Sequence, residues 1–175
     1  MGKRFTIGID AGRRTGVAVF DRAQRRLVYL GTLDYFGARE YLKKNFAPGE
    51  CDVLIEDPTR LRPAFLRPTS LSDEAAAQRV QMHIAQKVGA VKQLTALLIE
   101  DLRRLGYNVV PVAPQPKRQR AKNDARQFKL RTGWPGASNE HTRDAAMLCY
   151  GVMSVAQPVP VRVQPFPARR RARRS

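Results

Sequence analysis

The 175-residue sequence predicts a single α/β domain built on a mixed sheet. Residues 4–33 hold apolar runs separated by tight turns, the pattern of an antiparallel meander. Residues 51–114 read as strand, long helix, strand, which makes a parallel pair with a right-handed crossover. A composition of 43% apolar and 7% aromatic residues is ordinary for a chain that buries one core.

Residues 4–10, RFTIGID, alternate and are rich in Ile and Phe, as a half-buried strand does. Gly12 and Gly16 bracket a tight turn, and TGVAVFD, residues 15–21, returns as the second strand of a hairpin. RRLVYLGTL, residues 25–33, is the third strand. A short helix follows in GAREYLKKNF, residues 37–46, and ends before Pro48 and Gly49. CDVLIEDP, residues 51–58, is a short buried strand whose apolar run stops at Glu56 and Asp57, with Pro58 ending it.

A basic loop, TRLRPAFLRPTSLSD, occupies residues 59–73. From Glu74 to Leu105 the spacing of Ala, Val, Ile and Leu predicts a long helix with a candidate break at Gly89, and YNVVPVAP, residues 107–114, is the fifth strand. Residues 115–137 form a basic segment, part helix, closed by Gly133, Pro135 and Gly136. Ser138 is the expected cap of the last helix, NEHTRDAAMLCYGVMS, residues 139–154. The domain is expected to span residues 1–156. Residues 157–175 read as an extended Pro- and Arg-rich basic tail.

The formal net charge is +17 and the pI is near 11.0. Such a field points to a polyanion, with nucleic acid as the default partner and an anionic membrane surface as the alternative. No apolar run approaches the roughly 18 residues that cross a bilayer, and the N-terminus lacks the apolar core of a signal peptide. The expectation is a soluble, cytosolic chain. Cys51 and Cys149 are too few and too far apart for a zinc cluster or a disulfide framework, and read as packing residues.

Asp10 ends an apolar strand, where a charge leaves water at a cost unless it is paired or binds a metal. Glu56 ends the fourth strand. His141 and Asp144 are three apart on the last helix and share a face. If the first and fourth strands are neighbours, these four residues can form a carboxylate cage suited to hard divalent cations. Three of them also have plainer readings: Asp10, two residues before Gly12, suits a turn, Asp144 suits a helix N-terminus, and His141 can be a solvated residue or a substrate contact. Asp57 competes with Glu56, because successive strand residues face opposite ways. Glu140 could supplement or replace His141, and His83 reads as structural or facing nucleic acid.

These residues resemble the RNase H-like nucleases and, within them, the RuvC-type Holliday junction resolvases. The resemblance rests on IGIDAGRRTGVAVFD, VLIEDP, the Ala-rich helix with AQKVGAVKQL, and HTRDAAMLCYG, in that order, covering nearly all of residues 4–154. It implies a five-stranded mixed sheet of order 3-2-1-4-5 flanked by helices, with the first three strands antiparallel and the last two parallel to the first. It implies two Mg²⁺ ions per site, replaceable by Mn²⁺, with Asp10 shared, Glu56 on one ion, and Asp144 with His141 on the other. The implied activity is hydrolysis of DNA phosphodiesters at four-way junctions, leaving 5′-phosphate and 3′-hydroxyl. A homodimer would make paired nicks, with the long helix as interface and no nucleotide cofactor. The family pattern has proline after the first aspartate, where this chain has Ala11.

Most arginines read as a solvated field that adds affinity without sequence information. Three clusters stand above it: Arg60, Arg62 and Arg67 around Phe65; Lys87 and Lys92, about a turn apart on the long helix; and PKRQRAK, with Lys117, Arg118, Arg120 and Lys122. By the resemblance, Lys117 contacts a phosphate and Phe65 is a wedge stacking on a base at the junction; a core anchor is the other reading of Phe65. Other functions weighed are a ribonuclease H or YqgF-type RNA-processing nuclease and a non-catalytic nucleic-acid-binding protein. GIDAGRRTG also resembles the phosphate-binding hairpin of sugar kinases and actin-like ATPases, which need two such domains.

Overall fold

A computed structural model describes residues 2–60, 74–114 and 125–150. Its strands are β1 (Phe5–Asp10), β2 (Thr15–Asp21), β3 (Arg26–Leu33), β4 (Cys51–Glu56) and β5 (Asn108–Val112). They form one sheet in the order β3-β2-β1-β4-β5. β1 pairs antiparallel with β2 and β2 with β3, while β1 with β4 and β4 with β5 are parallel. The helices are α1 (Tyr35–Asn45), α2 (Glu74–Arg104), α3 (Ala125–Thr132) and α4 (Glu140–Tyr150).

Strand alternation divides the core in two. Ile7 and Ile9 of β1, Val17 and Val19 of β2, and Val53 and Ile55 of β4 turn to one face, where α1 supplies Ala38 and Leu42 and α2 supplies Leu98 and Leu102. Ala18 and Phe20 turn to the other, against Ala145, Ala146 and Cys149 of α4 and Phe128 of α3. Side chains of this kind contribute about 1.5–3 kcal/mol each when fully buried.

α4 lies on the hairpin at backbone contact. A Cβ on Gly8 would stand 2.0 Å from the Ala145 carbonyl oxygen, and one on Gly16 2.1 Å from that of His141. Cys149 Sγ lies 3.5 Å from the Thr6 carbonyl. Four helical residues rise about 6 Å and two strand residues about 6.7 Å, so the pairs Cys149 with Thr6 and Ala145 with Gly8 step along together. The helix therefore runs antiparallel to β1 and brings its N-terminus to the end of that strand.

Three boundaries differ from the sequence expectation. α1 begins two residues earlier, at Tyr35, because the Asp34 carboxylate accepts from the Gly37 amide at 2.7 Å and caps it. α2 is continuous through Gly89; a single glycine costs a helix only about 1 kcal/mol, which the packed C-terminal half offsets. α4 is capped by Asn139, whose Oδ1 accepts from the Thr142 amide at 3.0 Å. The Ser138 hydroxyl instead accepts from Arg143 Nη1 at 3.3 Å.

At the starting end of β1, β4 and β5, Asp52 gathers Arg22 Nη2 at 2.7 Å, Lys3 Nζ at 3.1 Å and Asn108 Nδ2 at 2.7 Å. Burial alone would raise its pKa, but the hydrogen bonds from Asn108, Arg22 and Lys3 outweigh that and lower it to about 2. Among the described residues, no helix is long and apolar enough to cross a membrane.

Candidate active site

The ends of β1 and β4 and the start of α4 define the site. Asp10 is the last residue of β1 and its side chain keeps 20% exposure. Its Oδ2 lies 2.9 Å from His141 Nδ1, across 131 residues of sequence. The close approach of α4 at Gly16 makes that contact possible, because the His141 backbone sits directly over the strand neighbour of Asp10.

A cleft of about 470 Å³ opens there, lined by Asp10, Ala11, Gly12, Arg13, Arg14, Val91, Glu140, His141 and Asp144. Asp10, His141 and Asp144, singled out from sequence, thus border one space, and Glu140 joins them. The N-terminal end of α4 carries partial positive charge, which suits a carboxylate group at its mouth.

Glu56 does not line this cleft. The parallel register runs Phe5 with Cys51 through Ile9 with Ile55, so the next step sets Glu56 beside Asp10. Val53 and Ile55 belong to the α1/α2 face, and alternation puts Glu56 on the same face as Asp10, one strand spacing of about 4.8 Å away.

Asp57 takes another role. Its Oδ1 accepts from the Thr59 amide at 2.9 Å and from the Thr59 hydroxyl at 2.7 Å, and Oδ2 lies 3.7 Å from Arg60 Nε. It borders a separate groove with Ile99, Glu100 and Arg103 of α2. This turn engages the Asp57 carboxylate, while Glu56 falls on the sheet face of Asp10.

The carboxylates of this acid-rich donor set are the oxygen ligands that hard divalent cations take. Among the described residues, no three His, Cys, Asp or Glu side chains converge closely enough to hold an ion as they stand. The thiols offer no alternative: burial raises Cys51 to about 11 and Cys149 to about 12, so both stay protonated at neutral pH.

Of the basic clusters, Arg60 ends the short turn after β4 and is exposed. Lys87 borders a smaller apolar cleft with Pro58, Val88 and Val91. Val91 also lines the main cleft, so Lys87 stands one helical turn from its wall. Lys92 does not share that face, since five residues rotate a helix by roughly 140° beyond a full turn. His83 is exposed on α2. Arg62, Phe65, Arg67, Lys117, Arg118, Arg120, Lys122 and the tail from residue 157 lie outside the described residues. Arg13 and Arg14 escaped the sequence reading, although they stand between the two glycines that mark the turn.

No protein-family model matches the chain, and neither does any curated protein. Among solved structures, it is similar to T. thermophilus RuvC in complex with Holliday junction substrate, with a TM-score of 0.49 and 16% identity over 82% of this chain and 88% of that one. It is also similar to the cytoplasmic domain of EpsL, an inner membrane component of the type II secretion system of Vibrio cholerae. There the TM-score is 0.34, with 14% identity over 65% of this chain and 60% of that one. The strand order and directions match the five-stranded mixed sheet expected from the sequence.

Proposed function

We propose that this protein is a metal-dependent, structure-selective DNA endonuclease that resolves four-way junctions by paired nicking. The observation that carries the reading is the meeting of Asp10 and His141 in a cleft shared with Asp144 and Glu140, with Glu56 one register step away on the same sheet face. A net charge of +17 supports a nucleic-acid substrate.

In this reading Asp10, Glu56, Asp144 and His141 would hold two Mg²⁺ ions, with Asp10 serving both, Glu56 one, and Asp144 with His141 the other. When bound, such ions supply hydroxide at neutral pH and offset charge on the phosphate. The chain's own part is positional. β1 and β4 hold Asp10 and Glu56 side by side, and α4, seated on Gly8 and Gly16, carries His141 and Asp144 to them. The His141 ring orients the Asp10 carboxylate through the 2.9 Å contact.

Paired nicking calls for two sites related by a two-fold axis, hence a homodimer. Val80, Ile84 and Val88 of α2 are 44%, 54% and 45% exposed at helical spacing, which supports that helix as the contact.

The test is cleavage of a synthetic four-way junction in Mg²⁺ or Mn²⁺, beside duplex and RNA:DNA hybrid controls, with light scattering of the junction complex. Junction cutting by a dimer is the expected result. Cutting of the hybrid alone would move the function to a ribonuclease H, and binding without metal-dependent cutting would make the protein a non-catalytic binder.

A further inference from the structure

The β1–β2 turn puts two cations on the rim of a cleft whose other polar side chains are three carboxylates and one imidazole. Arg13 and Arg14 line it together with Asp10, Glu140, His141 and Asp144. Among the described residues, neither guanidinium has a hydrogen-bond or ion-pair partner, although three carboxylates border the same space. Elsewhere Arg4 pairs with Asp21, Arg22 with Asp52, Arg39 with Asp101 and Arg104 with Glu100.

The turn is also fixed. The Thr15 hydroxyl donates to the Gly12 carbonyl at 2.9 Å, and Thr15 is fully buried. Gly16, next in sequence, lies under the His141 carbonyl. The backbone carrying both arginines is therefore fastened at its base to the helix that carries His141 and Asp144. Arg13 and Arg14 are three and four residues from Asp10, which limits their Cα atoms to about 14 Å from it. The antiparallel pairing of Asp10 with Gly16 brings them closer.

We propose that Arg13 and Arg14 form a phosphate-binding subsite of this cleft, holding a backbone phosphate that neighbours the one at the carboxylates. The proposal rests on the nucleic-acid reading above and adds the path of the strand, which passes the β1–β2 turn on its way across the site. A guanidinium suits this role because its planar donors match two phosphate oxygens at once, and its charge offsets the acidic wall that would otherwise repel the strand.

The test compares binding of a labelled four-way junction in EDTA by the wild-type chain, Arg13→Gln with Arg14→Gln, and Arg25→Gln with Arg26→Gln. The second pair removes the same two charges at the β2–β3 turn, at the far end of β2. The turn pair is expected to lose at least about tenfold more affinity than the control pair. Its plot of log affinity against log salt should be shallower by about 1–2 units, since each phosphate contact contributes about 0.9. Arg13→Lys with Arg14→Lys should recover part of the affinity, and it keeps the comparison valid if the glutamine pair melts at lower temperature. Equal losses from the two glutamine pairs would overturn the subsite, leaving a general charge field. Because binding is read without metal, a chain that binds but never cuts would refute the nuclease reading while this comparison still decides the subsite.

Discussion

Gly16→Ala tests whether α4 must lie at backbone contact for the site to work. The new Cβ would stand 2.1 Å from the His141 carbonyl oxygen, 2.4 Å from its carbon and 3.0 Å from the Thr142 amide nitrogen. Real Cβ atoms essentially never approach closer than 3.0 Å. The start of α4 must therefore retreat by about 0.9 Å, and no flexible side chain can yield in its place. Overpacking of this kind costs about 1–3 kcal/mol, a drop in melting temperature of roughly 2–12 °C for a chain of this size. A displacement near 1 Å of catalytic groups costs about 100-fold in rate. Junction cleavage at a temperature well below the melting point should fall by about that factor while junction binding persists. Gly12→Ala is the matched control on the same turn, because the nearest atom its Cβ would meet is the Arg14 carbonyl oxygen at an ordinary 3.6 Å. Wild-type cleavage and melting in Gly16→Ala would refute the argument that this glycine sets the position of His141.

Asp10→Asn, Glu56→Gln and Asp144→Asn are each expected to abolish junction cleavage and leave binding equal or tighter, since each removes a negative charge facing phosphate; full activity in one would remove that residue from the site. His141→Ala should lose rate by orders of magnitude at unchanged fold, measured by cleavage beside a thermal melt. The Asp52 carboxylate has its pKa lowered from 3.8 to about 2 on folding. Its stabilisation, of order 2 kcal/mol, is therefore present above about pH 4 and lost as pH falls through about 2, and Asp52→Asn should flatten the acid limb of a melting-temperature profile in that window. Deleting residues 169–175 should weaken binding to junction and duplex alike and flatten the salt dependence, because a run of arginines neutralises phosphate charge without reading sequence or shape; loss of junction binding only would contradict this.

The chain's own periodicities determined the frame. Alternating apolar residues in 4–10 and 15–21, and the strand, helix, strand pattern of 51–114, depend on local backbone preference and on which face of each element is apolar, and these are written in neighbouring residues. The same local logic placed Asp10 at the end of a strand and His141 with Asp144 on one helix face. It missed Asp34 as the cap of α1 because the aromatic residues after it masked the helical pattern.

What only the tertiary structure decided is which of these ends meet. The contact of His141 with Asp10 spans 131 residues and depends on two glycines that let α4 touch the hairpin backbone. That Glu56 falls beside Asp10 while Asp57 turns back to Thr59 depends on the pairing of β1 with β4 and on the turn that follows. Arg13 and Arg14 acquire significance only through the cleft they border. Each of these outcomes is set by packing between segments far apart in sequence, where no local pattern records the distance between side chains.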